Sequence, residues 1–167
     1  MVRSAFEHAG AARSIVHRLK YEGIVEAAVW LAVVLGPLLP DAECLVPVPR
    51  AMVRRVRYGA DPAVLLASAL TKATGIPVVD ALTPPLYAPR HAGRGRRQRP
   101  PPRFSLRRRV AAAVLVDDVL TTGSTLASAE RTIGSSNVIG AVVATAVPNR
   151  ASGRTWLPAG GEGGSAR

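Results

Sequence analysis

The run Val114-Leu115-Val116-Asp117-Asp118-Val119-Leu120-Thr121-Thr122-Gly123-Ser124-Thr125 constrains this chain more than any other feature. Its apolar opening predicts a strand buried on both faces over residues 111–116, the pattern of a parallel sheet covered by helices. Two adjacent carboxylates close that strand. A short loop of threonine, glycine and serine then opens a helix expected over 124–133. Ligands of open α/β sheets bind at the carboxyl ends of the strands. Small residues let the backbone approach an anion, and a helix N-terminus presents N–H groups and a positive dipole end. Carboxylates suit hydroxyls or Mg²⁺. The segment therefore carries both halves of a receptor for a sugar phosphate.

Three ordinary explanations fit less well. A capped strand end needs one Asp, not two followed by five donor residues. A response-regulator receiver carries its Asp pair on an early strand, whereas this pair lies late in the chain. A Walker B strand requires a G-x-x-x-x-G-K-[ST] partner, which the sequence lacks.

The remaining pattern agrees with one α/β domain over 1–149 and a Gly-rich, mobile tail over 150–167. Residues 5–36 read as two helices broken at Gly23, the second over 24–35 and stopped at Gly36-Pro37. Cys44-Leu45-Val46-Pro47-Val48-Pro49 reads as a buried strand running into a loop. Asp61-Pro62 starts a helix, since Asp is a favoured N-cap and Pro a favoured first residue, and Gly75 ends it. Strands are expected over 76–82 and 138–147. Between them, residues 84–109 hold nine arginines, one histidine and no acid. They predict a long, basic, flexible loop, with room for a short β-ribbon. The fold class expected is a three-layer α/β domain with a mostly parallel sheet flanked by helices.

Composition narrows the possibilities. A chain of 167 residues suits a single domain. Cys44 is its one cysteine, which excludes an internal disulfide framework or a Cys-rich zinc site within the chain. The expected compartment is the cytoplasm. No signal peptide is evident, and the apolar run over 25–40 is short for a membrane span and contains Glu26 and Pro37. The net charge of +11 is carried almost wholly by arginine, the only lysines being Lys20 and Lys72. Such a surface attracts phosphates and nucleic acid.

At residues 114–125 the sequence resembles the type I phosphoribosyltransferases and their motif for phosphoribosyl pyrophosphate (PRPP). The resemblance implies that Asp117 and Asp118 hold the ribose hydroxyls and serve catalysis. Thr121, Thr122, Gly123, Ser124 and Thr125 would bind the 5-phosphate. In purine-salvage members an Asp stands where this chain has Thr121, so that mechanism does not transfer. Lys20-Tyr21-Glu22-Gly23, Leu45-Val46-Pro47-Val48-Pro49 and Arg57-Tyr58-Gly59-Ala60-Asp61-Pro62 are similar to elements of one branch, the ComF family. This wider likeness spans residues 5–147. It implies a pyrophosphate loop at Val48, Pro49, Arg50 and Arg57, and a flexible loop at Arg90, His91 and Arg94. The N-terminal zinc module of many ComF proteins is absent from this sequence, and the loop after Arg90 departs from the family pattern.

Two functions follow as expectations. One is an enzyme in which a nitrogen nucleophile attacks C1 of PRPP, with Mg²⁺ arriving on the substrate and Asp117 and Asp118 as further candidate ligands. The other is a non-catalytic accessory protein that binds a nucleotide or single-stranded DNA, since the ComF family is associated with DNA uptake in transformable bacteria. A homodimer is open in either case. Phe104 is the only aromatic in the arginine-rich stretch from Arg90, so DNA binding would be salt-sensitive and sequence-blind.

Overall fold

The computed structural model describes residues 1–51, 61–85, 101–147 and 156–158. Arg57, Arg90, His91 and Arg94 lie outside the described residues. The elements run β1 (Val2–Glu7), α1 (Gly10–Tyr21), α2 (Val25–Leu35), β2 (Cys44–Pro47), α3 (Pro62–Thr74), β3 (Leu82–Thr83), β4 (Ser105–Leu106), β5 (Ala113–Leu120), α4 (Ser124–Ile133), β6 (Val138–Ala146) and β7 (Trp156–Pro158).

Five strands form one sheet in the order β2-β5-β6-β1-β7, and every pairing in it is parallel. The residues of β5 from Ala113 to Val116 are all buried, as a strand covered on both faces requires. Alternation then divides the core into two layers. Leu45, Val114, Val116, Val142 and Ala144 face α1, α2 and α3. Val46, Leu115, Ala141 and Val143 face α4 and the β3–β4 ribbon. The three-layer α/β architecture expected from sequence is the one observed.

The local signals explain most of the boundaries. Asp61 caps α3 by accepting from the Ala63 N–H at 3.2 Å, and Gly75 ends that helix at φ 79°, in the left-handed region that glycine enters without steric cost. α1 buries Val16 and Leu19, which fixes the helix against the sheet and places the following residue, Lys20, at its last turn.

Three features depart from the sequence reading. Residues 5–7 are not helical: they complete β1, which pairs with β6 from Val2↔Ala141 to Glu7↔Ala146. The strand is short and carries a fully buried polar residue, Ser4, whose hydroxyl is satisfied locally by donating to the Phe6 carbonyl at 2.7 Å. A hydrophobic pattern gives no warning of such a strand. Second, the segment 76–82 makes only one isolated bridge to the sheet, Leu45↔Val78, before Leu82–Thr83 turns away to pair antiparallel with Ser105–Leu106. Third, Trp156–Pro158, within the stretch read as a tail, pairs parallel with Val2–Ser4 and extends the sheet past β1.

Candidate functional site

Because all five strands are parallel, their carboxyl ends share one edge. β5 is longer than the sequence pattern indicated, ending at Leu120, so Asp117 and Asp118 lie inside the strand rather than beyond it. The β2–β5 ladder continues past β2, where the Val48 N–H donates to the Val116 carbonyl at 2.9 Å. That bond carries Val48, Pro49 and Arg50 alongside the Asp pair.

Arg50 is anchored twice. Its backbone N–H donates to Asp61 Oδ2 at 3.0 Å, so the capping residue of α3 also fixes the loop after β2. Its guanidinium donates from Nη2 to Asp118 Oδ2 at 2.9 Å and from Nη1 to the Lys20 carbonyl at 3.4 Å. Lys20 then joins the same carboxylate oxygen, with Nζ 3.3 Å from Asp118 Oδ2. Two cations thus converge on one acid. All three side chains are largely enclosed, with exposures of 24% for Lys20, 17% for Arg50 and 11% for Asp118. Removing one partner from such a group is costly, because the charge left behind is desolvated.

Asp117 is placed differently. Its Oδ1 accepts the Asp118 N–H at 2.7 Å. Burial raises its carboxyl well above the ordinary carboxylate range, and the neighbouring Asp118 charge raises it further. The Asp118 N–H and the nearby Lys20 charge act in the opposite direction and do not overcome this.

The loop after β5 follows at once. Thr121 and Thr122 are exposed, and Gly123, Ser124 and Thr125 are half-buried. Gly123 precedes α4 with φ 74°. A Cβ there would meet only an ordinary contact with Leu120, so what glycine supplies is the left-handed conformation itself. The Thr122 hydroxyl donates to Ser124 Oγ at 3.0 Å and receives the Ser124 N–H at 3.4 Å. Hydroxyls and the N-terminus of α4 therefore stand together, the arrangement that receives a phosphate.

The structure thus brings together Asp117, Asp118, the 121–125 loop and the Val48-Pro49-Arg50 segment. It adds two residues to which the sequence reading gave no role at the site. Lys20 lies about a hundred residues from Asp118 in sequence, and the packing of α1 brings the two together. His8, just beyond β1 at the same sheet edge, has Nδ1 2.8 Å from the fully buried Thr145 hydroxyl. Recognising β1 as a strand would have placed it there.

Among the described residues no group of three or more His, Cys, Asp or Glu side chains is placed to hold a metal ion. No helix among them is long and apolar enough to cross a membrane. No family model matches the chain, and no curated protein matches it significantly.

Proposed function

We propose that this protein binds PRPP at the carboxyl edge of β5 and acts as a phosphoribosyltransferase of the ComF type. The observation that carries the reading is the direct succession of Asp117 and Asp118, the 121–125 loop and the N-terminus of α4, with Arg50 beside the acids. A sugar phosphate needs hydroxyl acceptors a short distance from phosphate donors, and this edge offers both.

In this reading the 5-phosphate lies on the hydroxyls of Thr121, Thr122, Ser124 and Thr125 and on the opening N–H groups of α4. The carboxyls of Asp117 and Asp118 take the ribose hydroxyls. Arg50, anchored by Asp61, faces the diphosphate. A nitrogen nucleophile attacks C1, the bond from C1 to the diphosphate oxygen breaks, and the diphosphate leaves with the bonding pair. Fixed cations stabilise the charge that develops on it. The donor set at the site offers two carboxyls, which suits Mg²⁺ held mainly by substrate phosphates and water rather than by a protein cage. Bound there, the ion would neutralise charge on the diphosphate.

Phosphorus NMR of PRPP with Mg²⁺ tests this reading. Added protein should broaden both the 5-phosphate and the diphosphate resonances. A Thr122→Ala/Ser124→Ala variant should lose most of the effect at the 5-phosphate. If neither resonance responds to the folded protein, the reading fails.

A second reading, an accessory protein for a nucleotide or single-stranded DNA, is favoured by one observation. Arg103, Arg107, Arg108 and Arg109 are all exposed around β4. Arg107 pairs with Asp80 at 2.6 Å, so one of these charges is already engaged. Affinity for single-stranded DNA that falls steeply with salt, and disappears when residues 90–109 are removed, would support it.

A further inference from the structure

Resting on the PRPP reading, we infer that Lys20 is a substrate-binding residue that moves from Asp118 to the diphosphate when substrate arrives, releasing Asp118 to the ribose hydroxyls.

The two cations on Asp118 are held unequally. Arg50 is fixed by its backbone bond to Asp61 and by two guanidinium bonds, one to Asp118 and one to the Lys20 carbonyl. The Lys20 ammonium has the longer contact of the two, 3.3 Å against 2.9 Å, and the more exposed side chain, 24% against 17%. Lysine is also a point charge on a flexible stem, whereas arginine holds a fixed fork. Of the two, Lys20 is the one able to change partner.

Lys20 and Arg50 bring two positive charges to one carboxylate oxygen, Asp118 Oδ2. Those three side chains together carry one more positive than negative charge, partly enclosed and therefore weakly screened. A diphosphate arriving beside the loop after β2 meets a preformed cation pair.

As long as both cations bind Asp118 Oδ2, that oxygen is engaged and cannot serve a ribose hydroxyl fully. Transfer of the ammonium to the diphosphate frees it, with Arg50 still holding the carboxylate in place. Occupation of the diphosphate end thereby prepares the ribose end. The last turn of α1 becomes a sensor for the leaving group, a role that follows from the contact across the fold.

The chain contains only two lysines, Lys20 and Lys72, and Lys72 is exposed on α3. That permits a test on the unaltered protein. Lysine acetylation is followed by mass spectrometry with and without inorganic pyrophosphate and Mg²⁺, with ribose 5-phosphate as the control ligand. Pyrophosphate should slow modification of Lys20 at least threefold and leave Lys72 unchanged, while ribose 5-phosphate protects neither. In parallel, Lys20→Met should weaken pyrophosphate binding at least tenfold without weakening ribose 5-phosphate binding, since Asp118 is then already free of the ammonium, and Lys20→Arg should recover most of the loss. If the wild type binds both ligands, yet Lys20 is not protected and Lys20→Met binds pyrophosphate normally, the inference is overturned and the PRPP reading stands. If the folded wild type binds neither ligand, both are overturned.

Discussion

Arg50 Nη2 stands 2.9 Å from Asp118 Oδ2 across 68 residues of sequence, joining the loop after β2 to the end of β5. This contact closes the site. It follows from strand order: β2 is the neighbour of β5, so the segment leaving one strand meets the acid on the other. Arg50→Ala should destabilise the fold by about 3 kcal/mol, since it strips a partner from a mostly buried carboxylate. Arg50→Lys should recover only part, because an ammonium cannot bridge Asp118 and the Lys20 carbonyl as a fork does. Urea denaturation of the two variants measures both values.

Asp61 joins two elements with one carboxylate, accepting from Ala63 at the start of α3 and from Arg50 N–H. Asp61→Ala removes a helix cap, with a cost of about 1–2 kcal/mol, and also loosens the loop that aims Arg50. Asp61→Asn keeps an acceptor and should cost less. Under the PRPP account, Asp61→Ala also weakens pyrophosphate binding although Asp61 contacts no substrate, and calorimetry reads that effect directly.

Asp117 gives the stability a distinctive pH dependence. Its folded carboxyl lies well above the ordinary value of 3.8, through burial first and Asp118 second. Between those two values the folded state keeps a proton that the unfolded chain has lost. Stability from this group is therefore greatest below the ordinary value and is lost as pH rises through the folded one. Asn at this position can still accept the Asp118 N–H and never ionises. Asp117→Asn should match the wild type in Tm at acid pH and exceed it increasingly toward neutral pH. A difference in Tm that stays constant with pH would contradict this account of Asp117.

Gly123 holds φ 74° at the entry to α4. An Ala there pays about 1–2 kcal/mol for the left-handed conformation and shifts the backbone that receives the phosphate. Gly123→Ala should lower Tm by several degrees and weaken ribose 5-phosphate binding more than pyrophosphate binding.

These expectations draw on parts of the molecule that were legible to different degrees. The bounds of α2, α3 and α4 were readable from Gly36, from Asp61 and Gly75, and from Gly123, because caps and turn residues act locally. The Asp pair and its loop were readable because a strand, an acid pair and a helix start are contiguous in sequence. β1 was not, since its buried Ser4 hides the strand from an apolar pattern. The approach of Lys20 to Asp118 was not, since it depends on how the buried Val16 and Leu19 seat α1 on the sheet.

The central claim is that the edge at Asp117 and Asp118 binds PRPP. Calorimetric titration of PRPP with Mg²⁺ into the wild type and into the folded Asp117→Asn/Asp118→Asn variant tests it most directly. The account predicts micromolar binding by the wild type and its loss in the variant. No heat of binding from a folded wild type, or equal binding by the variant, would contradict it.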